Sequence, residues 1–83
     1  MMRTVKLLAE EGDLTAASNV DAASVVRAHN TTAGALLMTQ KNSGGTILAS
    51  MTLTAGEVVY VEKATSDTLE GGVGIKAVSV AYR

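Results

Sequence analysis

The chain has 83 residues and a mass of 8.5 kDa; 47% of it is apolar but only 2% aromatic, and Phe, Trp, Pro and Cys are absent. That length accommodates one domain, residues 1–83. With 13 Ala and 10 Val among the apolar residues, its interior is made of small and β-branched side chains. Seven basic and eight acidic residues, net −1, are spread along the chain. This argues against nucleic acid, which needs clustered Lys and Arg, and against an anionic membrane surface. No apolar run approaches the ~20 residues of a transmembrane helix, and the first ten residues lack the hydrophobic stretch of a signal peptide. A domain this small hides only ~60% of its unfolded surface and usually adds a disulfide, a metal or a partner. Without Cys, and with His29 as the one histidine, association is what remains.

In chain order, residues 3–9 read as a strand with Val5 and Leu7 on one face. Residues 10–23 are ambiguous, so that 1–23 form an N-terminal arm or an extra strand. Residues 24–30 alternate as a strand in which His29 shares a face with Val25 and Arg27. Ala35 to Lys41 follows, Leu36 and Met38 on one face and Leu37 and Thr39 on the other. Asn42-Ser43-Gly44-Gly45 supplies hairpin chemistry. The return strand, Thr46 to Leu53, sets Ile47, Ala49, Met51 and Leu53 against Thr46, Leu48, Ser50 and Thr52. After a turn at Thr54-Ala55-Gly56-Glu57, Val58-Val59-Tyr60-Val61 is apolar on both faces, as in a central or covered strand. Thr65 to Gly72 is expected to hold a single helical turn capped by Ser66 or Asp67, and Ile75 to Tyr82 is the closing strand. About six antiparallel strands with frequent turns predict an all-β fold, a compact β-sandwich or small barrel.

Catalytic chemistry finds little support. A nucleophile needs a neighbouring base that a third group orients; His29 is the only ordinary candidate, and no G-x-S-x-G surrounds a serine. Zinc wants three or four His, Cys or carboxylate ligands, which one His and no Cys do not provide. Asp67 and Glu70 read as an acidic first helical turn rather than a cation site. Gly71-Gly72-Val73-Gly74-Ile75-Lys76 lacks the G-K-[ST] ending of a phosphate loop and reads as a Gly-rich turn. Asn30-Thr31-Thr32 matches the glycosylation sequon by pattern and is read as a chance match. The expectation is a protein with no catalytic residues, no metal and no cofactor.

The partner signal is stronger. From Ala28 to Gly56, 29 residues, Lys41 is the only formal charge, and exposed strands are normally guarded by charge or Pro. Either the hairpin lies inside an assembly, the preferred reading, or its hydroxyl-rich face is simply solvated. Leu36, Met38, Leu48, Met51, Val59 and Tyr60 are the interface candidates, the two methionines serving either as core filling or as adaptable contacts.

The succession Val25-Val26-Arg27-Ala28-His29-Asn30, Ser43-Gly44-Gly45-Thr46-Ile47 and Leu53-Thr54-Ala55-Gly56-Glu57-Val58 carries a resemblance. It continues through Glu62-Lys63-Ala64-Thr65-Ser66-Asp67-Thr68-Leu69 and the closing Ile75 to Tyr82. Over residues 24–83 the chain resembles the small virion-associated β-sandwich proteins of tailed bacteriophages, cyanophage type; its motifs are compositional and turn-based. The resemblance implies a structural virion protein, first a capsid decoration (cement) protein that stabilises the outer shell by non-covalent contacts. A tail or neck component is the alternative within it. The implied partners are the major capsid protein and copies of the same chain, and the implied location is the capsid surface after synthesis in the host cytoplasm. A small glycan- or ligand-binding module using Tyr60 or Tyr82 is the reading from another class.

Overall fold

A computed structural model describes residues 4–82, without the side chain of Tyr82. The face assigned to Tyr82, its place as a ligand-binding candidate and the first residue of the 3–9 strand therefore lie outside the described residues. Eight strands form: β1 (Val5–Leu7), β2 (Gly12–Leu14), β3 (Val25–Asn30), β4 (Leu36–Lys41), β5 (Ile47–Leu53), β6 (Val58–Glu62), β7 (Thr68–Glu70) and β8 (Gly72–Tyr82). They make two antiparallel sheets. One has the order β1-β8-β3-β6, with β2 also on β8, and the other the order β5-β4-β7. The fold is thus the expected all-β sandwich, with two more strands than counted from sequence.

Period-two alternation decides what the sheets enclose. In β3, Val26, Ala28 and Asn30 are buried while Val25, Arg27 and His29 lie half-buried on the opposite face. Ala28 stands across from Ala77 and Asn30 from Ile75, so both strands turn small or β-branched residues inward. Leu14, Val26, Met38, Leu53, Leu69 and Ile75 fill the space between the sheets, and Leu36, Val59 and Val61 pack against them half-buried. Fully burying a side chain of this size is worth about 1.5–3 kcal/mol; in a domain without Phe or Trp, each is a large share of the total.

Three expectations are corrected. No helical turn forms at 65–72: Asp67 N–H donates to Ala64 O at 3.0 Å, closing a turn, and Thr68–Glu70 enters the second sheet beside β4. Asp67 instead accepts from Gln40 Nε2 at 3.0 Å, and Glu70 pairs with Lys41 at 2.8 Å. The Gly-rich segment is not a turn but the start of β8, where Gly72 and Gly74 have φ of +94° and +105°. The apolar strand β6 is not central; it is the edge of its sheet, apolar on both faces because Val59 and Val61 face the core while Tyr60 packs on the outside.

The ambiguous segment 10–23 contributes β2 and a left-handed turn. Val20, Asp21 and Ala22 have φ of 53°, 58° and 55°, a conformation costing roughly 1–2 kcal/mol per residue. Burial of Val20 and Ala23 offsets it. Lys63 holds this turn in place: its ammonium, nearly enclosed, donates to Ala23 O at 2.7 Å and to Ala64 O at 3.2 Å. Desolvation lowers the Lys63 pKa from the ordinary 10.5, and the Asp67 charge opposes that shift. Between the lowered value and 10.5 the unfolded chain binds more protons, so this group makes stability rise with pH there. An NMR titration of the Lys63 side chain is expected to show a midpoint below 10.5. A midpoint at or above that value would contradict the burial of the ammonium.

Candidate interaction surface

The uncharged hairpin is built around Asn42. Its Oδ1 accepts from Gly44 N–H at 2.9 Å and Thr46 N–H at 3.0 Å, and its own N–H donates to Thr46 O at 2.9 Å. This local closure fixes the register of β4 on β5: Leu36 faces Leu53, Met38 faces Met51 and Thr39 faces Ser50. A shift between Gln40 and Lys41 adds the local twist of a bulge.

β5 is the outer strand of its sheet, and every residue from Ile47 to Thr52 is exposed; only Leu53 is buried. Ile47 is 65% exposed, Leu48 52% and Met51 40%, and the neighbouring Leu37 on β4 is 57% exposed. An edge strand leaves alternate N–H and C=O groups unpaired, a template for another strand. The other edges are guarded. β1 and β2 have three residues each and carry Lys6 and Asp13. β7 carries Glu70 and is bridged by Ser18 at Leu69. β6 has five residues and ends on Glu62. Only β5, with seven residues, has neither charge nor cover among the described strands.

Beside this edge a cleft of about 100 Å³ opens between the two sheets. Ala49, Ser50 and Met51 form one side, Val61 of the facing edge strand the other, and Met38 and Leu69 lie among its lining residues. Its walls are mostly apolar. A second concavity, about 320 Å³, lies on the outer face of the larger sheet, where Tyr60, Arg27 and Val78 meet Val5, Leu7 and Glu11. Arg27 and Glu11 approach there to 3.5 Å, an exposed pair of little energetic weight.

The six interface candidates separate accordingly. Leu48 and Met51 are both exposed on β5, on opposite faces of that edge strand. Met38 is corrected: at 3% exposure it is core, because the inner strand β4 turns it inward while its partner Met51 sits at the rim. Leu36 and Val59 are half-buried against the core. Tyr60 lies on the outer concavity, on the face of β6 opposite to the Val61 side chain that lines the cleft. Ile47 and Leu37, which sequence reasoning left out, belong with Leu48 and Met51. Edge position, which alternation alone does not give, picks out Ile47; Leu37, on the inner strand β4, is exposed because it points away from the core on the face opposite Met38.

The sequon is unusable in the folded chain. Asn30 is fully buried, and its Nδ2 donates to Gly34 O at 2.8 Å and Leu53 O at 3.0 Å. Among the described residues no group of three His, Cys, Asp or Glu is placed to hold a metal ion, and no helix is long and apolar enough to cross a membrane. Comparison with models of known families, with curated proteins and with solved structures gives no match.

Proposed function

We propose that this protein is a structural subunit that works by covering and being covered, and, within the virion resemblance, a capsid decoration protein. The observation that carries this reading is the bare β5 edge: seven residues without a charge, six of them exposed, on a chain that guards its other edges. A monomer with that edge in solution would be prone to edge-to-edge aggregation; inside an assembly the same feature is an adhesive surface. Cement function asks for area and unpaired strand, and needs no catalytic group. A tail or neck role would use the same edge to close a ring.

The test adds purified chain to emptied tailed-phage capsids prepared without it. Decoration predicts saturable binding at a copy number repeated over the capsid lattice, with a higher capsid melting temperature. A copy number set by one cyclic ring favours the neck or tail role. Absence of binding contradicts both. The outer concavity supports a second reading, a small-ligand or glycan site with Tyr60 as its aromatic wall, since pockets of ~300–1,000 Å³ suit such ligands. Glycan binding that Tyr60→Ala abolishes, in a chain that ignores capsids, would favour it.

A further inference from the structure

We infer that β5 pairs with β5 of a second copy of this chain, antiparallel about a two-fold axis at Ser50, so that the two small sheets join into one. The inference rests on the assembly reading above and names its partner at that edge. It starts from the sequence of the edge itself. A two-fold at Ser50 uses all seven residues of the strand: Ile47 meets Leu53 of the second copy, Leu48 meets Thr52, and Ala49 meets Met51. Such an interface is isologous, each contact occurring twice.

Two features make the edge complementary to itself. No charged residue lies between Asn42 and Gly56, so no like charges face each other across the axis. On the inward face the smallest apolar side chain of the strand, Ala49, stands opposite the longest, Met51. Both line the cleft between the sheets. Met51 of each copy therefore reaches the mouth of the other copy's cleft, whose 100 Å³ is several times one water's ~30 Å³ share of the liquid. A flexible thioether suits such an irregular gap.

Area sets the strength. Seven residues at ~3.3 Å span about 23 Å, and with the ~10 Å spacing of two packed sheets the edge offers about 230 Å² per copy. A standard stable interface uses about 800 Å² per partner. The pair is therefore weak in dilute solution and gains when copies are held side by side on a larger surface.

Sedimentation of the full chain is the first measurement: the average mass is expected to climb from 8.5 kDa toward twice that as concentration rises to about 1 mM. The second uses the absence of cysteine. Residues directly opposed in antiparallel strands have Cβ atoms ~4.5–5.5 Å apart, near the reach of a disulfide. Ser50→Cys is expected to oxidise to a covalent dimer at least tenfold faster than Thr46→Cys or Ala55→Cys. Met51→Ala is expected to raise the concentration of half-association about tenfold, and Met51→Lys to abolish association, each with an unchanged circular dichroism spectrum. A chain that stays monomeric at 1 mM, or equal oxidation rates for the three cysteine variants, overturns the pairing. The two readings fail separately. Capsid binding by a chain that never pairs leaves the assembly reading without this partner, and pairing by a chain that ignores capsids does the reverse.

Discussion

Asn30→Asp is expected to cost about 3–5 kcal/mol of stability at neutral pH, the largest effect of any single substitution considered. Asn30 sits at 0% exposure where β3 ends, and its side chain uses every hydrogen-bonding position. Nδ2 donates to Gly34 O and Leu53 O, while Oδ1 accepts from Thr32 N–H at 2.9 Å and the Thr32 hydroxyl at 2.7 Å. Its backbone joins the same knot, the N–H donating to Glu57 O and the carbonyl accepting from Gly56 N–H, both at 2.9 Å. One residue thus ties together the end of β3, the 31–35 loop, the end of β5 and the turn into β6. An aspartate turns an oxygen toward two carbonyl oxygens and buries a charge. Breaking a buried network this way costs about 3–5 kcal/mol, out of about 4–12 kcal/mol for a chain of this size.

The pH dependence of that variant has a definite sign. Burial raises the new carboxyl's folded pKa above its unfolded value near ~3.9. Between the two values the folded state holds more protons, so stability falls as pH rises and is best retained below about pH 4. Urea unfolding should therefore show Asn30→Asp closer to the parent at pH 3.5 than at pH 7. A variant within about 1 kcal/mol of the parent at pH 7 would mean that the knot carries no weight.

Gly74→Ala is the second large effect, expected to cost about 2–4 kcal/mol. Gly74 is buried in β8 with φ of +105°, a region non-glycine residues enter at a cost of roughly 1–3 kcal/mol. A Cβ there would also run into Thr32 Cγ2. Thr32 is not free to yield, because its hydroxyl serves Asn30, and Gly74 O accepts from Thr31 N–H at 2.8 Å and Thr31 Oγ1 at 2.7 Å. The two costs separate in a double-mutant cycle. Thr32→Ser removes the obstructing methyl and keeps the hydroxyl, so it should recover about 1 kcal/mol or more in the Gly74→Ala background and cost little alone. Recovery of nothing would assign the whole effect to φ.

These two sites show where sequence reasoning stops. Alternation made β3, β4, β5 and the Ile75–Tyr82 part of β8 visible, because antiparallel strands write their faces at period two, while β6 showed as a short apolar run. β7 was hidden: Thr68-Leu69-Glu70 is too short to show a period, and its place beside β4 depends on long-range pairing. Val20-Asp21-Ala22 contains no glycine to announce a left-handed turn; burial of Val20 imposes it. Gly72 and Gly74 carried a turn signal because positive φ is usual in turns, yet here they shape a continuous strand. The sequon pattern around Asn30 has no term for burial. At the hairpin, lack of charge was legible, but not that β4 is inner and β5 outer. That single fact sends Met38 to the core and Met51 to the rim.

The exposed edge also explains how so shallow a core coexists with so bare a hairpin. Under the proposed pairing, association would stabilise the folded form by mass action, so that part of the stability of the chain would reside in contacts that the isolated subunit lacks. Lys6, Asp13 and Glu62 guard the other edges against indiscriminate pairing, which leaves β5 as the edge the proposal uses.

Amide hydrogen exchange along β5, measured from dilute to concentrated protein, tests that claim most directly. The outward-facing amides of Ile47–Leu53 are predicted to exchange quickly in the dilute chain and to slow progressively as the protein associates, while the β6 edge changes little. Association that leaves β5 exchange unchanged and protects another edge instead would contradict the account.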